Sequence, residues 1–123
     1  MSVALVEDAE ILLTGLTVPP SLNHAYVNVP GLGRVASQRL TKWKKVCGWE
    51  IRAQRQQALR GPVHLAYTFA QSATKADLGN LEKAATDLLV ELKLIDGDSK
   101  KTVRSIRLQW GDVQGMQIEV RAA

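Results

Sequence analysis

The periodicity of apolar residues changes twice along the middle of the chain. Residues 63–69 alternate between apolar and more polar side chains, which is typical of a strand with one buried face. Residues 40–59 and 77–94 instead repeat their apolar positions every three or four residues, which is typical of amphipathic helices. The middle of the chain therefore predicts a strand between two helices, and hence a sheet with helices packed on it.

The remaining segments predict further strands and loops. Residues 11–17 predict a strand that ends before Pro19 and Pro20, and residues 102–110 and 116–121 predict two more. We expect residues 111–115 to join these last two strands as a hairpin and residues 95–101 to form a turn. Residues 21–37 are rich in loop formers, with a short extended piece at 26–29. The order β-α-β-α-β-β predicts an α+β fold in which two helices cover a small mixed sheet.

Each predicted helix has a core face and a polar face. In the first helix, the residues expected in the core are Leu40, Trp43, Cys47, Ile51 and Ala58. In the second, at about 100° per residue, the core side consists of Leu78, Leu81, Ala85, Leu88, Leu89 and Leu92. The opposite side consists of Asn80, Lys83, Ala84 and Asp87, with Asp77 at the N-terminal edge.

Length and composition narrow the class of protein. The chain suits one domain over residues 1–123, with residues 1–10 as a loosely ordered extension. The 16 basic and 12 acidic residues leave a net charge of +4, which permits a polyanionic partner without requiring one. The single cysteine, Cys47, excludes an internal disulfide, and His24 and His64 cannot complete a structural zinc site with it. Without a signal peptide or an apolar run of roughly 20 residues, a cytoplasmic protein is expected.

Three aspartates near the second predicted helix are candidates for metal chemistry. Asp77 opens that helix, and Asp96 and Asp98 follow its end. Carboxylates clustered in a wet cleft supply the hard oxygen ligands that Mg²⁺ prefers, together with water and a phosphate. Taken alone, however, these residues favour a structural role, in which Asp77 caps the helix and Asp96-Gly97-Asp98 forms a turn.

Two motifs give these aspartates a more specific context. The segment Asp77-Leu78-Gly79-Asn80-Leu81-Glu82-Lys83-Ala84-Ala85-Thr86-Asp87-Leu88-Leu89 resembles the signature Asp-Leu-Asp-Asn-Leu-x-Lys-Ala-x-x-Asp-x-Leu of the RusA family of Holliday-junction resolvases. Asp98 lies where that family has its third essential aspartate. The segment Pro19-Pro20-Ser21-Leu22-Asn23-His24-Ala25-Tyr26 resembles the family's Pro-Pro-Ser-x-Asn element. The resemblance extends over residues 11–121, and the helix motif is the more specific of the two.

The resemblance implies both a fold and a reaction. It implies a RusA-like domain that forms a homodimer and resolves four-way DNA by paired symmetric nicks, in DNA recombination and repair. By resemblance, Asp77 and Asp98 hold Mg²⁺, for which Mn²⁺ can substitute, and Lys83 contacts the scissile phosphate. The catalytic set is then Asp77, Asp98 and Lys83, and the setting is the cytoplasm of a bacterial or phage-infected cell.

Two departures from the family pattern bear on this function. The family's second aspartate is Gly79 here, so one expected metal ligand is vacant. Asp96, Glu82 or water could fill that position; otherwise the chain binds branched DNA and cuts it poorly or not at all. The connector before Asp77 carries one basic residue, Lys75, where relatives can carry several.

Basic residues of the loop and first predicted helix are further candidates for DNA contacts. They are Arg34, Arg39, Lys42, Lys44, Lys45, Arg52 and Arg55. A solvated helix face would have the same composition, but the resemblance favours contacts with phosphates. With residues from the two motifs, the predicted DNA-binding set is Asn23, His24, Arg34, Arg39, Lys42, Lys44, Lys45, Lys75 and Asn80.

Three classes of function remain open from the sequence. They are a junction-cutting nuclease, a branched-DNA-binding protein, and a structural or interaction protein without a DNA role. Residues 31–36 fit a dinucleotide fingerprint only formally, since no βαβ unit surrounds them, so no nucleotide cofactor is expected. Trp49 falls off the apolar face of its helix and is expected at an interface.

Overall fold

The computed structural model describes residues 10–123, and its elements follow the predicted order with one addition. The strands are β1 (Ile11–Leu16), β2 (Tyr26–Val29), β3 (Gly33–Ala36), β4 (Val63–Phe69), β5 (Val103–Trp110) and β6 (Met116–Ala122). The helices are α1 (Leu22–Ala25), α2 (Gln38–Ala53) and α3 (Glu82–Glu91), with short 3₁₀ turns at Gln71–Ala73 and Leu78–Asn80. The addition is α1 and the β2–β3 hairpin, which occupy the segment predicted to be rich in loops.

The predicted N-terminal extension lies outside the described residues except for Glu10. The backbone N–H of Glu10 donates to the carbonyl of Val120 at 2.9 Å, and its carboxylate accepts from the N–H of Ala122 at 2.6 Å. Glu10 is therefore tied to β6 and prolongs the pairing of β1.

The main sheet has four strands in the order β1-β6-β4-β5. Strand β4 is central: it pairs parallel to β5 and antiparallel to β6, and β1 pairs antiparallel to the other side of β6. Together with the helices this confirms the predicted α+β fold with a mixed sheet. The β2–β3 pair forms a separate two-stranded sheet.

The predicted β5–β6 hairpin is wrong, because β4 lies between the two strands. The unit β4-α3-β5 is a helix crossover, which places β5 parallel to β4 and leaves the other side of β4 for β6. The connection 111–115 instead crosses the end of β4. The N–H of Gly111 donates to the carbonyl of Phe69 at 3.0 Å, and the carbonyl of Gly115 accepts from Ala70 at 2.8 Å.

The core lies between the sheet and the two long helices. Its β4 contribution is the apolar set that alternation predicts, Val63, Leu65, Tyr67 and Phe69. From α2 it includes Leu40, Trp43, Cys47 and Ile51, as predicted, whereas Ala58 lies beyond the helix. Burial raises the pKa of the Cys47 thiol to about 12, and nearby Glu50 adds to the rise, so the thiol stays protonated and acts as a packed apolar group.

Both predicted helices are shorter than their periodicity suggests. Helix α2 ends at Ala53, and the following side chains turn to the free edge of β1: Gln54 exchanges hydrogen bonds with the backbone of Thr14 at 2.9 and 2.8 Å. Helix α3 begins only at Glu82, because the glycine-containing segment Leu78–Asn80 forms a 3₁₀ turn. Ala84, predicted to lie on the polar side, is buried.

Candidate functional site

An open cleft of about 390 Å³ brings together the two motifs that lie more than fifty residues apart in the sequence. Its walls come from the segment before and within α1, from the first turn of α2, and from the approach to α3. The lining residues are Pro19, Pro20, Ser21, Asn23, His24, Arg39, Thr74, Lys75, Ala76, Asp77 and Asn80. Five of the predicted DNA-binding residues and one predicted metal ligand therefore share one polar cleft.

Ser37 connects the α1 wall of the cleft to α2. Its hydroxyl donates to the carbonyl of His24 at 2.7 Å, and its oxygen accepts from the N–H of Leu40 at 3.2 Å, which caps α2. A single buried side chain thus fixes α1 beside the first turn of α2. Arg39, in that first turn, consequently faces the same cleft as Asn23 and His24.

The carboxylate of Asp77 is free of the capping role that its position suggests. Asp77 is exposed and precedes the 3₁₀ turn, and its backbone carbonyl accepts from the N–H of Asn80 at 3.0 Å. Within the described part of the chain its side chain makes no capping hydrogen bond. The charge of Asp77 is therefore presented to the cleft.

Lys83 joins Asp98 to the first turn of α3. Its ammonium lies 2.8 Å from Oδ2 of Asp98 and 3.2 Å from Oδ1 of Asp87. The hydrogen bond that Lys83 donates to Asp98 is the main cause that raises the pKa of Lys83, and the contact with Asp87 adds to it; the same bond to Asp98 lowers the pKa of Asp98. Lys83 is thus a cation and Asp98 an anion at neutral pH. Asp98 does not line the cleft that contains Asp77.

Asp96 and Glu82, the two candidates to replace the missing ligand, are engaged elsewhere. Asp96 accepts from the N–H of Gly61 at 2.7 Å and from Nη1 of Arg60 at 2.8 Å. Both contacts lower the pKa of Asp96, and the contact with Gly61 has the larger effect. Glu82 accepts from the hydroxyl of Thr86, which in turn contacts Tyr67. Both carboxylates therefore stabilise neighbouring structure.

The donor set for a divalent metal is partial. Among residues 10–123, no group of three histidine, cysteine or acidic side chains is arranged to hold a metal ion. Position 79 has room for a side chain, because no described atom outside the glycine and its two chain neighbours lies within 4 Å of where its Cβ would be. Two carboxylates can still suit Mg²⁺, which commonly keeps several waters and uses substrate phosphate oxygens as ligands. A metal ion bound beside Asp77 would therefore take most of its ligands from DNA and water rather than from a closed protein site.

The predicted basic residues divide into groups with different surroundings. Arg39 and Lys75 line the cleft, and Lys42 lies beside Pro19 and Pro20 on the adjoining surface. Lys44 instead forms an ion pair with Glu91 at 2.7 Å. Arg34, on the β2–β3 hairpin, lies over the ring of Tyr26 at 4.4 Å from its centroid. The sequence-based set thus mixes residues of the cleft with residues that face other parts of the surface.

Four polar or rigid wall residues of the cleft were not predicted as site residues. They are Pro19, Pro20, Ser21 and Thr74. The first three belong to the Pro-Pro-Ser-x-Asn element, which was the available signal. Thr74 carries no local motif; its hydroxyl accepts from the N–H of Ala76 at 3.0 Å and so shapes the approach to Asp77.

Comparison with protein families decides the relationship that the motifs suggested. The family model described as Endodeoxyribonuclease RusA matches residues 17–121. The chain belongs to the RusA family. Membership implies an endodeoxyribonuclease that resolves Holliday junctions, and the family acts on branched DNA. None of the individually curated proteins compared with the chain matches it.

The family match covers the whole cleft and also the Lys83–Asp98 pair beside it. The matched range includes the Pro-Pro-Ser-x-Asn element, Asp77, Lys83 and Asp98.

Among the helices of residues 10–123, none is long and apolar enough to cross a membrane.

Proposed function

We propose that this RusA family member is a Mg²⁺-dependent endodeoxyribonuclease that resolves four-way DNA junctions by paired symmetric nicks. It acts as a homodimer, so that each subunit nicks one of two opposed strands, in DNA recombination and repair. The observation that carries this proposal is the convergence of both family motifs, with Arg39, Lys75 and Asp77, in one open polar cleft. A cleft of this kind suits a phosphate backbone rather than a small apolar ligand.

The chain's own residues have distinct roles in this proposal. Arg39 and Lys75 hold phosphates on either side of the cleft, and Asn23 and Asn80 donate to phosphate or sugar oxygens. His24 lines the same wall and extends the contact surface. Lys83 keeps its positive charge at neutral pH and is placed by Asp98, so it can balance charge on a phosphate near α3.

Asp77 and Asp98 are the residues that would hold Mg²⁺, or Mn²⁺ in its place. The chemistry that such an ion supplies when bound is neutralisation of the charge on the phosphate and easier ionisation of the attacking water. Asp77 presents a carboxylate that is free of capping, and Asp98 presents one that is anionic and half exposed.

A second function is favoured by one specific observation, the glycine at position 79. With no third acidic ligand among the described residues, the chain can hold branched DNA in the cleft and cut it slowly or not at all. Phosphate contacts from Arg39 and Lys75 do not depend on a metal ion, so binding would persist.

The deciding experiment is cleavage of a labelled synthetic four-way junction by the unaltered protein. We expect paired symmetric nicks with Mg²⁺, none with EDTA, and none on a linear duplex of the same sequence. Tight junction binding without nicks would instead support the binding function. Failure to bind the junction at low salt would contradict both.

Aspartate variants test the metal assignment. Asp77→Asn and Asp98→Asn should lower cleavage by about 100-fold or more while sparing junction binding, because each removes an anionic ligand but keeps the shape. Asp96→Asn is the matched control, since Asp96 lies two residues from Asp98 and contacts Arg60 and Gly61. Full activity in either of the first two variants would contradict the assignment.

A further inference from the structure

The outward side of α2 carries an exposed tryptophan among cations. At about 100° per residue, Lys42, Lys45, Trp49 and Arg52 fall on the side opposite the buried Leu40, Trp43, Cys47 and Ile51. We name these four residues the outer stripe. The side chain of Trp49 is 76% exposed, the largest exposure among the big apolar side chains that the structure describes. Packing in the core of this chain therefore does not explain why a tryptophan occupies position 49.

The surface beside the outer stripe is a groove between α2 and the end of α3. One hollow of about 380 Å³ is lined by Lys44, Lys45, Gly48, Trp49, Arg52, Leu88, Glu91 and Leu92. A second of about 230 Å³, which shares Arg52 and Leu92, continues it towards Arg55. Trp49 thus lies at the wall of an extended groove rather than on a flat surface.

The charge of this groove is positive. Its single acidic residue, Glu91, is already paired with Lys44 at 2.7 Å. The only acid of α2, a helix described in full, is Glu50, which turns away to accept from Thr17 at 2.8 and 2.9 Å. Within residues 10–123, the three cations of the outer stripe form no ion pair. The groove therefore complements an anion.

A second copy of the chain is the other partner that could cover Trp49. A two-fold contact through the outer stripe would bring the same three cations of both subunits together, without an acid of α2 to separate them. Such a contact is electrostatically unfavourable, whereas a nucleic acid provides both the negative charge and aromatic bases. Stacking of a base on an exposed aromatic side chain needs an unpaired base, because the bases of a duplex stack on one another.

We propose that the outer stripe of α2 binds single-stranded DNA, with Trp49 stacked on an unpaired base and Lys45 and Arg52 on the flanking phosphates. The proposal rests on the proposed function, since strands that open at a branch point would supply such bases. The outer stripe begins beside the cleft: Arg39 lines the cleft and also adjoins Lys42 on the neighbouring surface, and Arg52 lies about 20 Å further along α2.

The test compares an oligothymidylate of about 16 nucleotides with an abasic backbone of equal length, at one fixed salt concentration. Trp49→Ala should weaken binding of the oligothymidylate about tenfold and leave binding of the abasic strand unchanged, because only the former offers a base to stack. Trp49→Phe should retain most of the affinity but lose the quenching of tryptophan fluorescence, since Trp43 and Trp110 are not on the stripe. Val46→Ala, which trims a 49% exposed apolar neighbour, is the matched control and should bind like the wild type.

Three results would overturn the proposal. Trp49→Ala could bind both strands as the wild type does, or lose the same factor on both, which would exclude stacking. Sedimentation could show that the free wild type self-associates and Trp49→Ala does not, which would make the outer stripe a subunit contact. The two proposals fail separately: a wild type that cuts the junction but binds oligothymidylate without any dependence on Trp49 overturns this proposal alone. If the wild type instead binds oligothymidylate through Trp49 but never binds the junction, the proposed function is overturned and the outer stripe remains a single-strand site.

Discussion

Gly79 lies in the 3₁₀ turn between Asp77 and α3, on the exposed side of the molecule. Its backbone is not in the left-handed region that favours glycine, and its surroundings leave room for a side chain. Nothing in the structure therefore explains the glycine. The absence of a third carboxylate is the largest local difference between this chain and the family signature.

Replacing Gly79 with aspartate should restore a ligand without disturbing the fold. We expect Gly79→Asp to bind Mn²⁺ about tenfold more tightly or better, as an added carboxylate near Asp77 raises the negative charge of the site. Mg²⁺-dependent nicking should rise with it. Titration calorimetry and junction cleavage measure the two effects, and Gly79→Asn, of equal size but uncharged, is the control. Equal behaviour of the two variants would show that another group already fills the position.

Asp96 and Asp98 show what a local sequence leaves open at the residue scale. Both follow α3 in the same turn, and both were candidates for a metal site. The structure separates them through partners distant in sequence: Arg60 and Gly61 engage Asp96, whereas Lys83 engages Asp98. Such partners depend on how β4 and α3 pack, which no short segment encodes. The family motif, by contrast, indicated Asp77 and Asp98 directly.

At the scale of elements, a buried hydrogen bond joins β4 to α3. The hydroxyls of Tyr67 and Thr86 lie 2.6 Å apart, and the Thr86 hydroxyl donates to Glu82. Tyr67 must therefore be the donor in the first contact. Tyr67 is completely buried, and this burial is the main cause that raises its pKa. The Tyr67 hydroxyl therefore remains protonated and available to donate. This contact fixes the helix that carries Lys83 against the central strand.

The two ends of this hydrogen bond should differ in their contribution to stability. Tyr67→Phe removes the donor and should lower the free energy of unfolding by about 1 kcal/mol. Thr86→Val leaves the Tyr67 hydroxyl buried without a partner and should cost more, about 1–3 kcal/mol. Urea unfolding of both variants and of the double variant measures the difference. The double variant should lose less than the sum; strict additivity would show that the two hydroxyls are not coupled.

Asp96 ties the turn after α3 to the segment before β4 and should make stability depend on acid pH. Gly61 and Arg60 lower the pKa of Asp96 in the folded state. Its contribution to the free energy of unfolding is therefore complete above the unfolded-state pKa of about 3.9 and is lost as pH falls through the lower folded-state pKa. The wild type should therefore be more stable than Asp96→Asn by a constant amount from pH 5 to 8, with the two converging below about pH 4. Thermal unfolding across this range measures the difference; a gap that persists in strong acid would exclude an ionic cause.

Periodicity predicted the main elements because each signal is local. The alternation at 63–69 predicted β4 with both of its bounds, and the core positions of α2 were identified from spacing alone. The errors arose where distant contacts decide: β4 between β5 and β6 excludes the hairpin, and the edge of β1 draws Gln54 out of the helix. Which strands pair with one another depends on the whole topology, whereas whether a segment forms a strand depends on a few local residues.

At the scale of the whole molecule, the modest net charge of +4 conceals an uneven distribution. Lys44 and Lys45 are adjacent in sequence, but α2 directs them differently: Lys44 meets Glu91 of α3, while Lys45 belongs to the outer stripe. Arg39, which forms no ion pair with any residue in the described part of the chain, carries the positive charge on into the cleft. Charge counting over the sequence could not separate these lysines, because the pairing of Lys44 requires the packing of α2 on α3.

This difference should appear in the salt dependence of DNA binding. Each lysine that neutralises a phosphate contributes about 0.7–0.9 to the slope of log K against log salt concentration. Lys45→Ala should lower the slope for a four-way junction by about that amount, whereas Lys44→Ala should lower it far less, because Glu91 already balances Lys44. Both variants change the net charge by one unit, so overall charge cannot explain a difference between them. Titrations from low to moderate salt measure both slopes. Equal slopes would mean that DNA does not follow the outer face of α2, and a larger effect of Lys44 would mean that binding breaks its pair with Glu91.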